Sequence, residues 1–192
     1  EMCIRDSYKI LLSRNIKKQV NHLMNEIDNS TTLNDKMLGC AAIILASLSF
    51  NGQTKYLEFG LSLLKRIINS SFELDGFPKS RSPRQLLFYI KYLIFIRELL
   101  RDSQNEIPEH LNEIIYYLGK CYAFFFKEND KKFLFNGNQE INNLDFQNFL
   151  KIHDYKFKNN LNNLGGYTIL SHKKNCLATV SYTHLTLPTI VD

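Results

Sequence analysis

Three basic side chains, Lys79, Arg81 and Arg84, fall within six residues of one another around Ser82-Pro83. A loop feeding a helix N-terminus presents unpaired backbone N–H groups, which favour anions, and the three cations add to that preference. The cluster is therefore a candidate binding site for a carboxylate or other anion, with a solvated run of charge as the plain alternative. The histidines offer no comparable signal. His22, His110, His153 and His172 show no metal-ligand spacing, so they read as surface or capping residues. Cys40, Cys121 and Cys176 are widely spaced and odd in number once Cys3 is set aside for reasons given below. Such a set supports neither a disulfide framework nor a zinc site and reads as buried or neutral thiols. No metal and no cofactor is implied.

The elements that must position these residues are mostly helical. Apolar residues recur at helical spacing from Ile16 through Val20, Leu23, Met24 and Ile27. Asp28-Asn29-Ser30-Thr31-Thr32 breaks that pattern with side chains that compete for backbone hydrogen bonds. A second helix is expected from Leu33 to Phe50, apolar nearly all round and so in need of cover on most sides, with Asn51-Gly52 ending it. A third carries Tyr56, Phe59, Leu63, Leu64 and Ile67. Ser82-Pro83 reads as an N-cap followed by Pro at the first position of a fourth helix that extends to about Arg101. Pro108 opens a fifth, with Leu111, Ile114, Ile115, Leu118, Tyr122 and Phe125 on one face. The texture then changes. Lys132 to Gly137 looks like a short extended piece with a turn, and Asp145 to Ile152 like one more short helix. From Gly165-Gly166 two short runs, Tyr167–Leu170 and Cys176–Thr179, flank a polar turn at His172-Lys173-Lys174-Asn175 and suggest a hairpin. Helices followed by strands point to a mainly α domain joined to a β domain, not to alternating α/β units.

The two ends are unlike the rest. Written with the codons GAG ATG TGT ATA AGA GAC, Glu1-Met2-Cys3-Ile4-Arg5-Asp6 has a reverse complement that reads Val-Ser-Tyr-Thr-His-Leu, the order of residues 180–185. Two protein termini have no physical reason to be antisense translations of each other, whereas a DNA adapter ligated to both ends of an insert does. Both ends also resemble translated sequencing-library adapters. Residues 1–7 and 180–192 are accordingly expected to be non-native and are kept out of fold reasoning. The formal charge of +5 for the whole chain becomes +7 for residues 8–179, because Arg5 is set against Glu1, Asp6 and Asp192. On this reading Met2 marks no start, and a signal region would not be present. With 44% apolar residues the chain has material for a core of about one domain. Its longest apolar stretch, Leu86 to Leu100, is interrupted by Lys91, Arg97 and Glu98 and falls short of the roughly 18 residues of a membrane span.

Two segments resemble the heparinase II/III family of polysaccharide lyases. The first is Asn34-Asp35-Lys36-Met37-Leu38-Gly39-Cys40-Ala41-Ala42-Ile43-Ile44-Leu45-Ala46-Ser47-Leu48-Ser49-Phe50, similar to a helix of that family that opens on Asn-His-Leu. The second is Asp75-Gly76-Phe77-Pro78-Lys79-Ser80-Arg81-Ser82-Pro83, similar to the family's loop D-G-x-x-x-x-R-S-P. Leu134-Phe135-Asn136-Gly137 and Gly165-Gly166-Tyr167 resemble the domain junction of bacterial, especially alphaproteobacterial, members. The resemblance implies a partial α/α-toroid of antiparallel helices over 8–155, followed over 156–179 by the first β-hairpin of a β-sandwich domain. It implies a fragment of a lyase that acts by β-elimination on uronate-containing acidic polysaccharide, and it implies export to the periplasm.

The physical problem for such an enzyme is the weakly acidic proton next to the uronate carboxyl. Hydrogen bonding that neutralises the carboxylate stabilises the enolate-like intermediate, while a Tyr or His moves protons. The resemblance puts Asn34 at the carboxylate-neutralising position; as an isolated residue it reads equally as the cap of the second helix. Two departures stand out. Asp35 occupies the place of a family His, and Gln85 occupies the place of the catalytic Tyr. An amide has no pKa accessible to proton transfer. Tyr89, one helical turn later, is the substitute candidate. Lys79, Arg81 and Arg84 are the substrate-binding candidates, with an acidic polysaccharide or oligosaccharide as partner. The catalytic set is incomplete, which leaves open whether the chain belongs to an active enzyme.

The alternative is a non-catalytic helical scaffold that binds carbohydrate or protein, a reading that Gln85 favours. A nucleic-acid binder is disfavoured. Phe124-Phe125-Phe126, Phe133 and Phe135 sit in apolar settings, and the basic residues are spread along the chain instead of forming one stripe.

Overall fold

The computed structural model describes residues 2–50, 54–73, 75–126, 144–172 and 175–180. Among them the chain forms six α-helices: α1 (Met2–Glu26), α2 (Leu33–Ser49), α3 (Thr54–Ser71), α4 (Pro83–Asp102), α5 (Glu109–Phe126) and α6 (Leu144–Ile152). A small antiparallel sheet follows, of β1 (Asn163–Leu164), β2 (Tyr167–His172) and β3 (Asn175–Val180) in that order. The fold is therefore mainly helical with an antiparallel hairpin at its C-terminal end. No helix among the described residues is long and apolar enough to cross a membrane. Two compact units divide the chain, Glu1–Phe72 with Phe88–Ile115 and Glu73–Leu87 with Tyr116–Asp192.

In the first unit α2 starts where Thr32 turns extended and its hydroxyl oxygen accepts from the Asp35 N–H at 3.1 Å. Thr32, not Asn34, is thus the cap; Asn34 lies within the first turn, where Asp35 adds the negative charge that a helix start favours. Apolar positions of α2 (Met37, Cys40, Ile43, Ile44) and of α3 (Leu63, Leu64, Ile67) are all buried. Gly60 lets α3 approach closely, because any Cβ there would overlap the Ile44 side chain. The Cys40 thiol donates to the Gly60 carbonyl at 3.3 Å across the same contact. The other side of α2 is not covered as its composition suggested: Leu38 and Leu45 are each 41% exposed. Tyr56 ties α3 to α1 by donating to Asn21 Oδ1 at 3.0 Å.

The first helix begins well before Ile16. Residues 8–15 contain good helix formers (Lys9, Leu11, Leu12, Arg14) but bury none of them, so hydrophobic periodicity carries no trace of this stretch. The start of α4 at Pro83 and the buried face of α5 agree with the sequence reading. Within the first unit α4 and α5 are joined by Arg97, which donates to Asn112 Oδ1 at 2.7 Å and pairs with the buried Glu98 at 2.9 Å. Arg101 completes the neutralisation of Glu98.

The second unit is organised by aromatic rings. Phe77, Phe125 and Tyr167 form a mutual cluster with centroids 5.1–5.7 Å apart. Tyr122 lies edge-on to Phe146 and Phe157 and stacks on Phe126. Gly165 and Gly166 connect β1 to β2 with φ of 58° and 81°, the two successive positive values that a tight hairpin turn demands. Leu164 then faces Tyr167, and Asn163 faces Thr168. On its other edge β2 pairs with β3 from Tyr167↔Val180 to His172↔Asn175, as the two short runs suggested. The expected extended piece at 132–137 and the 181–192 tail lie outside the described residues. Helix α1 continues through the expected boundary between residues 7 and 8.

Candidate functional site: a basic loop clamped by a hairpin turn

The loop from Asp75 to Pro83 is shaped by its own backbone. Asp75 Oδ1 accepts from the Phe77 N–H at 2.9 Å. The Glu73 N–H donates to the Phe77 carbonyl and the Gly76 N–H to the Glu73 carbonyl, both at 2.9 Å. This closed turn directs Phe77 into the aromatic cluster, where it is 1% exposed. The Arg81 N–H then donates back to the Pro78 carbonyl at 2.8 Å, and Arg81 itself adopts φ 54°. A left-handed conformation at a residue with a long side chain costs about 1–3 kcal/mol and persists only where surrounding contacts hold it.

Those contacts come from the β1–β2 turn. The fully buried Tyr167 donates its hydroxyl to the Arg81 carbonyl at 2.5 Å. The Arg81 guanidinium donates in return to the Gly165 carbonyl at 3.5 Å. Gly165 must stay bare, because a Cβ would meet the Phe77 ring within 3 Å and its φ is positive. The two segments Asp75–Pro83 and Gly165-Gly166-Tyr167 therefore interlock, although more than 80 residues of sequence separate them.

Around this clamp the candidate residues divide. Lys79 and Arg84 are exposed, and Arg81 and Gln85 are half-buried, all four in the second unit at or just before the first turn of α4. Three of the four are cations, and Gln85 ends in an amide that acts as neither acid nor base at ordinary pH. Asn34 and Tyr89 belong to the first unit. Asn34 is half-buried and its Oδ1 is shielded from solvent with no hydrogen-bond partner. Tyr89 is 1% exposed, edge-on to Phe72 and Phe88. Burial pushes its phenol above the ordinary value, against a smaller opposing pull from Ser71. A phenol so enclosed packs a core.

The thiols are equally withdrawn from chemistry. Burial pushes both Cys40 and Cys121 up to about 12, far above what a nucleophilic thiolate needs. His110 is half-buried, and desolvation followed by the charge of Lys65 lowers its pKa, with Glu113 opposing.

Two features escaped the sequence reading. Tyr167 figured there as part of a strand and of the junction resemblance but without a contact to the loop, yet its hydroxyl donates to the Arg81 carbonyl. Tyr116, Tyr117 and Lys120 fall off the apolar period of α5 and went unremarked, although an exposed aromatic pair one turn before a cation is itself a signal. A scan against protein-family models, a search of curated proteins and a search of solved structures each find no match for the chain.

Proposed function

We propose that this chain is part of a heparinase II/III-like polysaccharide lyase and that it contributes the surface on which an acidic, uronate-containing polysaccharide is held. The supporting observation is the clamp between the Asp75–Pro83 loop and the Gly165-Gly166-Tyr167 turn. Two of the stretches that resemble this family, Asp75–Pro83 and Gly165-Gly166-Tyr167, meet in space, and their meeting fixes the backbone at Arg81, between Lys79 and Arg84. A preorganised cationic loop binds a carboxylate more tightly than a mobile one, because less ordering accompanies binding. In this reading the helices belong to an α/α-toroid, the strands open a β-sandwich, and the parent protein is exported to the periplasm.

The reading separates binding from bond breaking. Gln85 cannot act as acid or base, Tyr89 is enclosed, and Asn34 alone moves no proton. The chain therefore supplies recognition without a complete proton-transferring set. A second reading, a non-catalytic helical scaffold for carbohydrate or protein, is favoured by the same two residues, Gln85 and Tyr89.

The test is an NMR titration of the whole chain with a uronate tetrasaccharide, run beside an ultraviolet assay for the unsaturated uronate that β-elimination forms. Amide shifts concentrated over 79–85, with no product formed, are expected. Shifts absent from that loop would refute the binding role, and product formation would refute the separation of binding from chemistry.

A further inference from the structure

Helix α5 carries an aromatic shelf that the core does not use. Tyr116 and Tyr117 are 57% and 40% exposed, and their rings meet edge to face with centroids 5.5 Å apart. Lys120, one turn further on, holds its ammonium 4.2 Å from the centroid of the Tyr116 ring and 5.8 Å from that of Tyr117. Cation–π attraction keeps that charge over the rings. The shelf lies within the second unit and is rooted against the basic loop, since a Cβ on Gly76, which has φ 78°, would overlap the Tyr117 side chain. The turn that opens the cationic loop is therefore built onto the helix that displays the rings.

This combination matches one ligand chemistry closely. A pyranose has an apolar C–H face, which an aromatic ring covers, and a polar rim. A uronate adds a carboxylate, for which the Lys120 ammonium is the complement once it swings off the ring face it covers in the free chain. We propose that Tyr116, Tyr117 and Lys120 form a stacking subsite for one uronate residue of an acidic saccharide, on the helix against which Gly76, at the start of the loop that carries Lys79, Arg81 and Arg84, is packed. The subsite rests on the acidic-saccharide reading of that loop and extends it to a second helix.

Binding is read by isothermal titration calorimetry of the whole chain with trigalacturonate, because ten Tyr contribute to its fluorescence and only two of them stand on the shelf. Tyr116→Ala should weaken binding about tenfold, in line with the loss of an aromatic anchor. Tyr116→Phe, which keeps the ring, should stay within about twofold of wild type on the same grounds. Lys120→Met should weaken binding at low salt and matter less at high salt, where a solvent-exposed charge is screened. Wild-type affinity in Tyr116→Ala, together with a loss in Arg84→Ala, would overturn the subsite and leave the loop reading intact. No binding by the wild-type chain would overturn both. Self-association of the wild type that Tyr116→Ala abolishes would assign the shelf to a second copy and overturn the proposal.

Discussion

Replacing Tyr167 by Phe removes one hydroxyl and leaves the ring in place between Phe77 and Phe125. The packing is retained, so the consequences come from the Arg81 carbonyl, which loses the donor now 2.5 Å away. A typical net hydrogen bond is worth about 0.5–1.5 kcal/mol, and a shielded carbonyl left without a donor costs about 1–3 kcal/mol. Part of that cost is recovered if Arg81 relaxes from φ 54° toward a common conformation. The expected loss is about 1–2 kcal/mol in the urea unfolding of the whole chain, with the slope unchanged. Amide exchange should rise locally at 79–82, because the clamp is what holds those residues. Affinity for an acidic saccharide should fall with it, although no cation has been altered. Unchanged stability and unchanged exchange would refute the claim that the tyrosine hydroxyl fixes the loop.

Gly165→Ala places a Cβ against the Phe77 ring at a positive φ; thermal unfolding should show a loss of at least about 1 kcal/mol from the backbone strain alone. Thr32→Ala should cost about 1 kcal/mol through the lost cap, whereas Asn34→Ala, which removes an unpartnered oxygen, should cost less in the same measurement. Cys40 and Cys121 should resist a thiol reagent at pH 8 in the folded chain and react on unfolding, since burial holds both thiols up to about 12. The sign for stability follows from the same shift. The unfolded chain releases these protons above about pH 9 while the folded chain keeps them, so stability should fall as pH rises from about 9 toward 12.

The fold was legible where burial imposes a period. The buried face of α5 could be read from Leu111 to Phe125, and Pro83 and Pro108 marked helix starts because proline suits only the first turn. The hairpin after Tyr167 was legible from two apolar runs around a polar turn. Residues that bury nothing were not legible, which is why residues 8–15 of α1 went unseen and why β1, two residues long, was missed. Gly165-Gly166 was itself a hairpin turn, and recognising the paired glycines as such would have supplied β1. Capping was open to Asn34 as the plain alternative to its candidate carboxylate role, because Thr32 and Asn34 have similar local chemistry; the backbone angle and side-chain hydrogen bond at Thr32 make Thr32 the cap. At the candidate site the cation cluster could be read from the sequence, since proximity along the chain guarantees proximity in space. The clamp could not, because Arg81 and Tyr167 leave no local mark of their contact. The enclosure of Tyr89 follows from Phe72 and Phe88 packing on it, again a matter of partners and not of spacing.

The central claim, that the loop around Lys79, Arg81 and Arg84 holds a carboxylate-bearing saccharide, is tested most directly by calorimetric titration of the whole chain with an oligouronate and with the same oligosaccharide after its carboxylates are reduced to alcohols. The account predicts binding of the oligouronate that weakens with salt and with Arg84→Ala, and little binding of the reduced form. Equal binding of the two forms, or none of either, would contradict it.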